Sequence, residues 1–187
     1  MAIIKVEKRN EALKPKQLRQ KNLVPCCVYG GTLTQSVSIQ MDRQDANLLF
    51  RTKRQGSKVM LDFNGLSIQT QIKEKKRNML NNEVEHFSFQ ALTDGQKVNS
   101  VAHIFLRNAD VVPGNLEQLL FEVPFSSLPE NMIDTVTIDL EGMPAGTNLT
   151  LQDIPEFQHE GITLQIPKNT MVLRIREKKR LLAPYAG

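Results

Sequence analysis

The pair Asn64-Gly65 restricts this chain more than any other feature. It separates residues 58–63, KVMLDF, from 66–73, LSIQTQIK, and Asn-Gly suits the two-residue turn whose twist matches that of paired strands. An antiparallel hairpin is expected there, and a hairpin needs further strands to become stable. Two alternating runs supply them. In residues 37–41, Val37, Ile39 and Met41 share one face, and in 84–92 Phe87, Phe89 and Ala91 oppose Val84, His86, Ser88 and Gln90. His86 is therefore expected to point away from the aromatic core.

Shorter signals complete the first half. Residues 2–6 read as an apolar strand, and Asp42 as the N-cap of a helix that turns Ala46, Leu49 and Phe50 inward and ends near Gly56. Arg51, Lys53 and Arg54 complement that helix's dipole. The run Lys73, Glu74, Lys75, Lys76, Arg77 is expected at a loop edge. Beyond residue 93, six short runs (98–106, 119–125, 134–140, 148–151, 162–166 and 171–175) are separated by Pro, Gly and Asn, with a helical turn at Pro129. The fold class is mainly β: an N-terminal small β-barrel with one or two short helices, then a C-terminal all-β domain.

Charge divides the chain in the same place. Residues 1–92 carry 16 Lys and Arg against 8 Asp and Glu, residues 93–173 carry 3 against 11, and the last fourteen carry 5 against 1. Such a reversal argues for two modules with different partners. The expected domains are 1–93, basic; 94–176, acidic; and 177–187, a basic mobile tail. With 5% aromatic residues and no Trp, the core must be largely aliphatic. Cys26 and Cys27 are adjacent, point to opposite faces of a strand and cannot form a disulfide framework, which fits a reducing compartment. The apolar run in MAIIKVEKRN is too short for a signal peptide or membrane anchor, so the expected location is the cytoplasm.

The basic half concentrates its charge at residues 14–31, KPKQLRQKNLVPCCVYGG. Pro15 suits the first turn of a helix, in which Lys14, Lys16, Arg19 and Lys21 leave Leu18 alone to pack inward. Pro25 ends the helical run, and residues 26–29 read as a buried strand closed by Tyr29, with Gly30 and Gly31 as the turn. A cationic surface next to a ring and approachable backbone favours a polyanion with sugar and base edges.

Leu18-Arg19, Val24-Pro25 and Val28-Tyr29-Gly30-Gly31 resemble the signature of the bacterial large-subunit ribosomal proteins that bind 5S rRNA, in the two-domain form also called the general stress protein Ctc. The resemblance extends to residues 114–118, GNLEQ, to Leu128-Pro129 and to 136–140, VTIDL. It implies that RNA is contacted by a basic residue after the first strand, here Arg9 or Lys8, and by Arg19, Tyr29, His86 and Ser88. Lys14, Lys16, Lys21, Gly30, Lys76 and Arg77 complete the expected RNA-binding set. Two departures stand out: Glu11-Ala12-Leu13 replaces a Gly-Lys-Gly, and Ser88 replaces an Asp. Ser88 keeps one hydrogen bond and loses the charge.

Catalysis has no support. The three histidines are scattered, no Cys, His or carboxylate spacing fits a metal, and nucleophile-elbow, Walker and dinucleotide signatures are absent. The chain is therefore expected to be a non-enzymatic, cofactor-free ribosomal component. Its implied partners are 5S rRNA (the loop E minor groove), the large subunit and, through the acidic domain, neighbouring ribosomal proteins. It is expected to be monomeric off the ribosome and to have no membrane partner. The alternatives are a tRNA-binding accessory module and a stress-related protein-interaction module.

Overall fold

The structure, a computed structural model, describes residues 3–177. The expectation of a basic mobile tail at 177–187 lies almost wholly outside the described residues. The chain divides into two compact units: residues up to Val101 together with Ser127–Asp134, and Ala102–Ser126 with the chain from Thr135 onward. The division falls inside a strand, past the change of composition at Thr93.

The first unit is a closed barrel built from β1 (Ile3–Lys8), β2 (Leu23–Tyr29), β3 (Val37–Asp42), β4 (Lys58–Phe63), β5 (Leu66–Arg77) and β6 (Val84–Ala91). Their order is β1-β3-β2-β6-β5-β4, closed by β1 pairing with β4. Asn64 and Gly65 both take positive φ, +52° and +84°, which is the hairpin turn their sequence calls for. Helix α1 (Pro15–Gln20) buries Leu18 completely, and α2 (Arg43–Thr52) starts where the Asp42 carboxylate accepts from the Gln44 amide at 2.7 Å.

Pro25 lies inside β2, which begins at Leu23, earlier than residue 26 as expected. The lost amide costs nothing there, because β2 pairs with β6 only from Cys26 onward. The core is aliphatic around Val24, Ile39, Met41, Leu61 and Ile72, with one aromatic cluster. Phe87 and Phe89 stack at 5.7 Å between centroids, and Phe50 of α2 meets Phe87 edge-on at 6.2 Å.

Two expectations need correction. Residues 73–77 are part of β5 and pair with β6 instead of standing at a loop edge. Ammonium heads on that strand find backbone carbonyls: Lys75 Nζ donates to Phe50 O at 3.0 Å and Lys53 O at 2.7 Å, capping α2, while lying 4.4 Å from the Phe50 centroid. Val84 also leaves the His86 face and enters the core. The pairs Lys76–His86 and Arg77–Val84 differ by one step on β5 and two on β6, so a bulge resets the alternation.

The second unit contains β7 (Val98–Arg107, whose first four residues belong to the first unit), β8 (Asn115–Gln118), β9 (Glu122–Ser127), β10 (Thr135–Asp139), β11 (Asn148–Thr150), β12 (Ile162–Leu164) and β13 (Met171–Arg176). One sheet runs β10-β7-β9-β12 and the other β11-β13-β8. Strand β8 was not expected; it lies in residues 114–118, one of the stretches that carry the family resemblance. The described residues contain three short 3₁₀ turns, and the expected one at Pro129 falls in the Ser127–Asp134 segment of the first unit. Arg174 and Arg176, counted with the basic C-terminus, are both tied to Glu117, at 2.6 and 3.2 Å.

Among the described residues no helix is long and apolar enough to cross a membrane.

Candidate nucleic-acid interface

Strand register decides which side chains share the barrel's outer face, because side chains of directly paired residues lie side by side on one face. Glu7, Gln40 and Pro25 pair in turn across β1, β3 and β2, and His86 and Lys76 pair across β6 and β5; His86 Nδ1 lies 2.8 Å from Pro25 O, which joins the two into one row. The next runs Ser38, Cys27, Ser88, Glu74, and Arg9 continues it, since its amide donates to Ser38 O at 3.1 Å. A third holds Tyr29, Gln90 and Gln71. Five expected site residues therefore meet on one polar grid: Arg9, Tyr29, Lys76, His86 and Ser88.

Hydrogen bonds lock the centre of that grid. His86 Nδ1 lies 2.8 Å from Pro25 O, and a carbonyl can only accept, so Nδ1 carries a proton. In the neutral ring Nε2 is then an acceptor, and Ser88 Oγ lies 3.2 Å from it. The Cys27 thiol donates to Ser88 Oγ at 3.4 Å and lies 3.7 Å from His86 Nε2. Ser88 thus links the Cys27 thiol and the His86 imidazole through one hydroxyl. Burial, with Cys27 and Glu74 nearby, raises the Tyr29 phenol above its ordinary pKa, which keeps a donor O–H at the strand end. Gly30 follows at φ +77°, a conformation that lets the chain leave the sheet directly after the ring.

The two cysteines behave differently for the same geometric reason. Cys26 points into the core, where burial drives its thiol pKa far up, whereas Cys27 is half-buried on the outer face. Alkylation of the native protein with iodoacetamide should label Cys27 and spare Cys26, as read by peptide mass mapping. Equal labelling of both would refute this assignment of faces.

The remaining expected residues lie elsewhere. Lys16 and Arg19 line a separate groove of about 470 Å³ with Gln20, Asn22, Arg43, Asn78, Asn81, Glu83 and Glu85. Arg43 is committed there: it pairs with Glu83 at 3.0 Å and donates to the Arg19 carbonyl. Lys14 and Lys21 are the exposed caps of α1, and Lys8 is the exposed end of β1. Arg77 stands over the Phe50 ring at 5.3 Å, so it does not join Lys76 on the grid. Lys76 itself pairs with Glu74 at 3.0 Å, an exposed contact that an anionic partner can readily replace.

Sequence reasoning missed Cys27, Gln40 and the groove residues Arg43, Asn78 and Asn81. Cys27 was within reach, being two residues before Tyr29 and so on its face. The groove was not, since it joins an α1 face to a distant turn.

Fold and face together define a two-module β protein whose barrel carries an outward polar surface. Residues 4–89 match the model of the Ribosomal L25p family, and residues 99–179 that of the ribosomal protein TL5 C-terminal domain. Large ribosomal subunit protein bL25 of Akkermansia muciniphila is 30% identical over 161 residues, covering 84% of this chain and 79% of the relative. The bL25 protein of Gloeothece citriformis is 28% identical over 184 residues (94% and 91%), and that of Bacillus licheniformis 25% over 170 (86% and 81%). The chain belongs to the ribosomal L25p family, in its two-domain form, and its role is that of a structural ribosomal protein.

Proposed function

We propose that the barrel binds 5S rRNA in its loop E region, laying the outer face of β1, β3, β2, β6 and β5 across the minor groove. An A-form minor groove is wide and shallow and offers 2′-hydroxyls and base edges, which a locked row of short polar side chains can read. The observation that carries this reading is the grid around His86, with its ring fixed by Pro25 and Ser88 and with Arg9, Tyr29 and Lys76 on the same face. The lysines of α1 add attraction to phosphate without sequence preference. The acidic second unit faces other ribosomal components or solvent.

The test is a filter-binding titration of the full chain against 5S rRNA, with tRNA as competitor, over a range of salt. Binding to 5S rRNA should survive excess tRNA. Equal competition by tRNA would instead favour an accessory tRNA-binding module. Lys16→Ala should lower affinity for both RNAs alike and reduce the salt slope by about one, the signature of one lost phosphate contact.

A further inference from the structure

The turn joining β5 to β6, residues 78–83, is held rigid by its own polar groups. The Asn78 amide donates to Glu83 O at 2.8 Å and the Asn82 amide to Asn78 O at 2.9 Å. Asn78 Oδ1 accepts from the Leu80 amide at 2.9 Å, Asn81 Nδ2 donates to Glu83 Oε2 at 3.0 Å, and Arg77 Nε donates to Asn82 O at 2.7 Å. Asn82 sits at φ +62°, which asparagine tolerates.

At the tip of this fixed turn Met79 and Leu80 are 94% and 97% exposed. Single apolar residues on a surface need no explanation. Two adjacent ones, held almost wholly in water at the tip of a hydrogen-bonded turn, mark a contact surface.

The chemistry around the tip selects the partner. Asn78 and Asn81 also line the groove that contains Lys16, Arg19 and Arg43, so the apolar pair stands beside cations and amides. A ligand that satisfies both must offer phosphate next to flat apolar faces. RNA does so, and the groove's amides and its Glu85 carboxylate suit base edges better than lipid headgroups. Proteins that bind the DNA minor groove frequently insert apolar wedges, Met and Leu among them, between base steps, and stacked RNA bases offer the same apolar faces.

We infer that Met79 and Leu80 form an apolar wedge that enters the RNA at a base step, with the adjoining phosphate in the groove of Lys16 and Arg19. The inference rests on the reading that the barrel binds 5S rRNA.

The experiment titrates full-length protein into 5S rRNA carrying 2-aminopurine at loop E positions, recording fluorescence and affinity together. Wild-type protein should bind with a rise in fluorescence as a base unstacks. The double variant Met79→Ala, Leu80→Ala should bind about tenfold more weakly, on the scale of a lost apolar side-chain contact, and lose the rise. Its thermal melt should match wild type, since neither side chain is packed. Met79→Lys with Leu80→Lys should recover affinity through charge but not the rise.

Unchanged affinity and fluorescence in the alanine variant would overturn the wedge while leaving 5S rRNA binding intact, as would a rise retained by the lysine variant. Failure of wild-type protein to bind 5S rRNA would overturn both. If instead the alanine variant loses binding only to anionic vesicles, the tip is a lipid contact and the wedge is wrong.

Discussion

Phe87→Ala should lower the free energy of unfolding by about 3–5 kcal/mol, the usual cost of deleting a fully packed ring. The ring has no exposed surface, stacks on Phe89 and takes the edge of Phe50. Removing it opens a cavity that strands fixed on both sides cannot close, because β6 lies between β2 and β5. The loss also spreads through Phe50, which carries the Lys75 ammonium and anchors α2 on the barrel. Urea titrations followed by circular dichroism should show a lower midpoint with an unchanged slope. A loss under about 1 kcal/mol would mean that the site repacks and that the aromatic cluster is not the centre of the barrel.

His86→Ala should weaken binding to 5S rRNA by about 1–3 kcal/mol while leaving binding to unrelated RNA nearly unchanged. The ring is half-buried and its Nδ1–H is already engaged by Pro25 O, so its orientation is set before RNA arrives. An edge held in this way meets its partner without an ordering cost, which is the source of its selectivity. Ser88 and Cys27 lose a neighbour in the variant but remain bonded to each other, so stability should change little. Arg19→Ala should cost a similar amount by removing a cation from the separate groove beside α1. Superimposable titration curves for wild type, Arg19→Ala and His86→Ala would remove the outer face and groove from the interface.

The structure also explains why cationic residues that look equivalent in the sequence are not. Lys75 and Lys76 are neighbours, yet a strand sends them to opposite faces. Lys75 closes the end of α2 on two carbonyls, and Lys76 stands outside beside His86. Arg43 went unnoticed as an ordinary helix residue, but it bridges α1 and the 78–83 turn through the Arg19 carbonyl and Glu83. Glu85 lines the groove and accepts from Asn78 Nδ2 at 3.0 Å.

Gly56 shows how the first unit recruits chain from beyond the change in composition. Its φ is +87°, and a Cβ there would lie 2.5 Å from Val101 O. Lys73 and the buried Gln71 both donate to Asn99 O, at 2.7 and 3.1 Å. Residues 98–101 are thereby fastened to β5, which no pattern of charge or hydropathy around Thr93 reports.

By itself the sequence determined the elements and their faces: the Asn-Gly hairpin, the Asp42 cap, the inward Phe87 and Phe89, the outward His86, and the split between Cys26 and Cys27. These follow from local rules, since turn conformation and strand alternation depend on residues a few positions apart. Only the tertiary structure decided which outward residues meet. The order β1-β3-β2-β6-β5 brings Arg9, Cys27, Ser88 and Glu74 into one row from four distant segments, and bulges on β5 and β6 shift the alternation by a residue. Strand order and register arise from closing the barrel around a shared core, a condition on the whole chain that no single segment encodes.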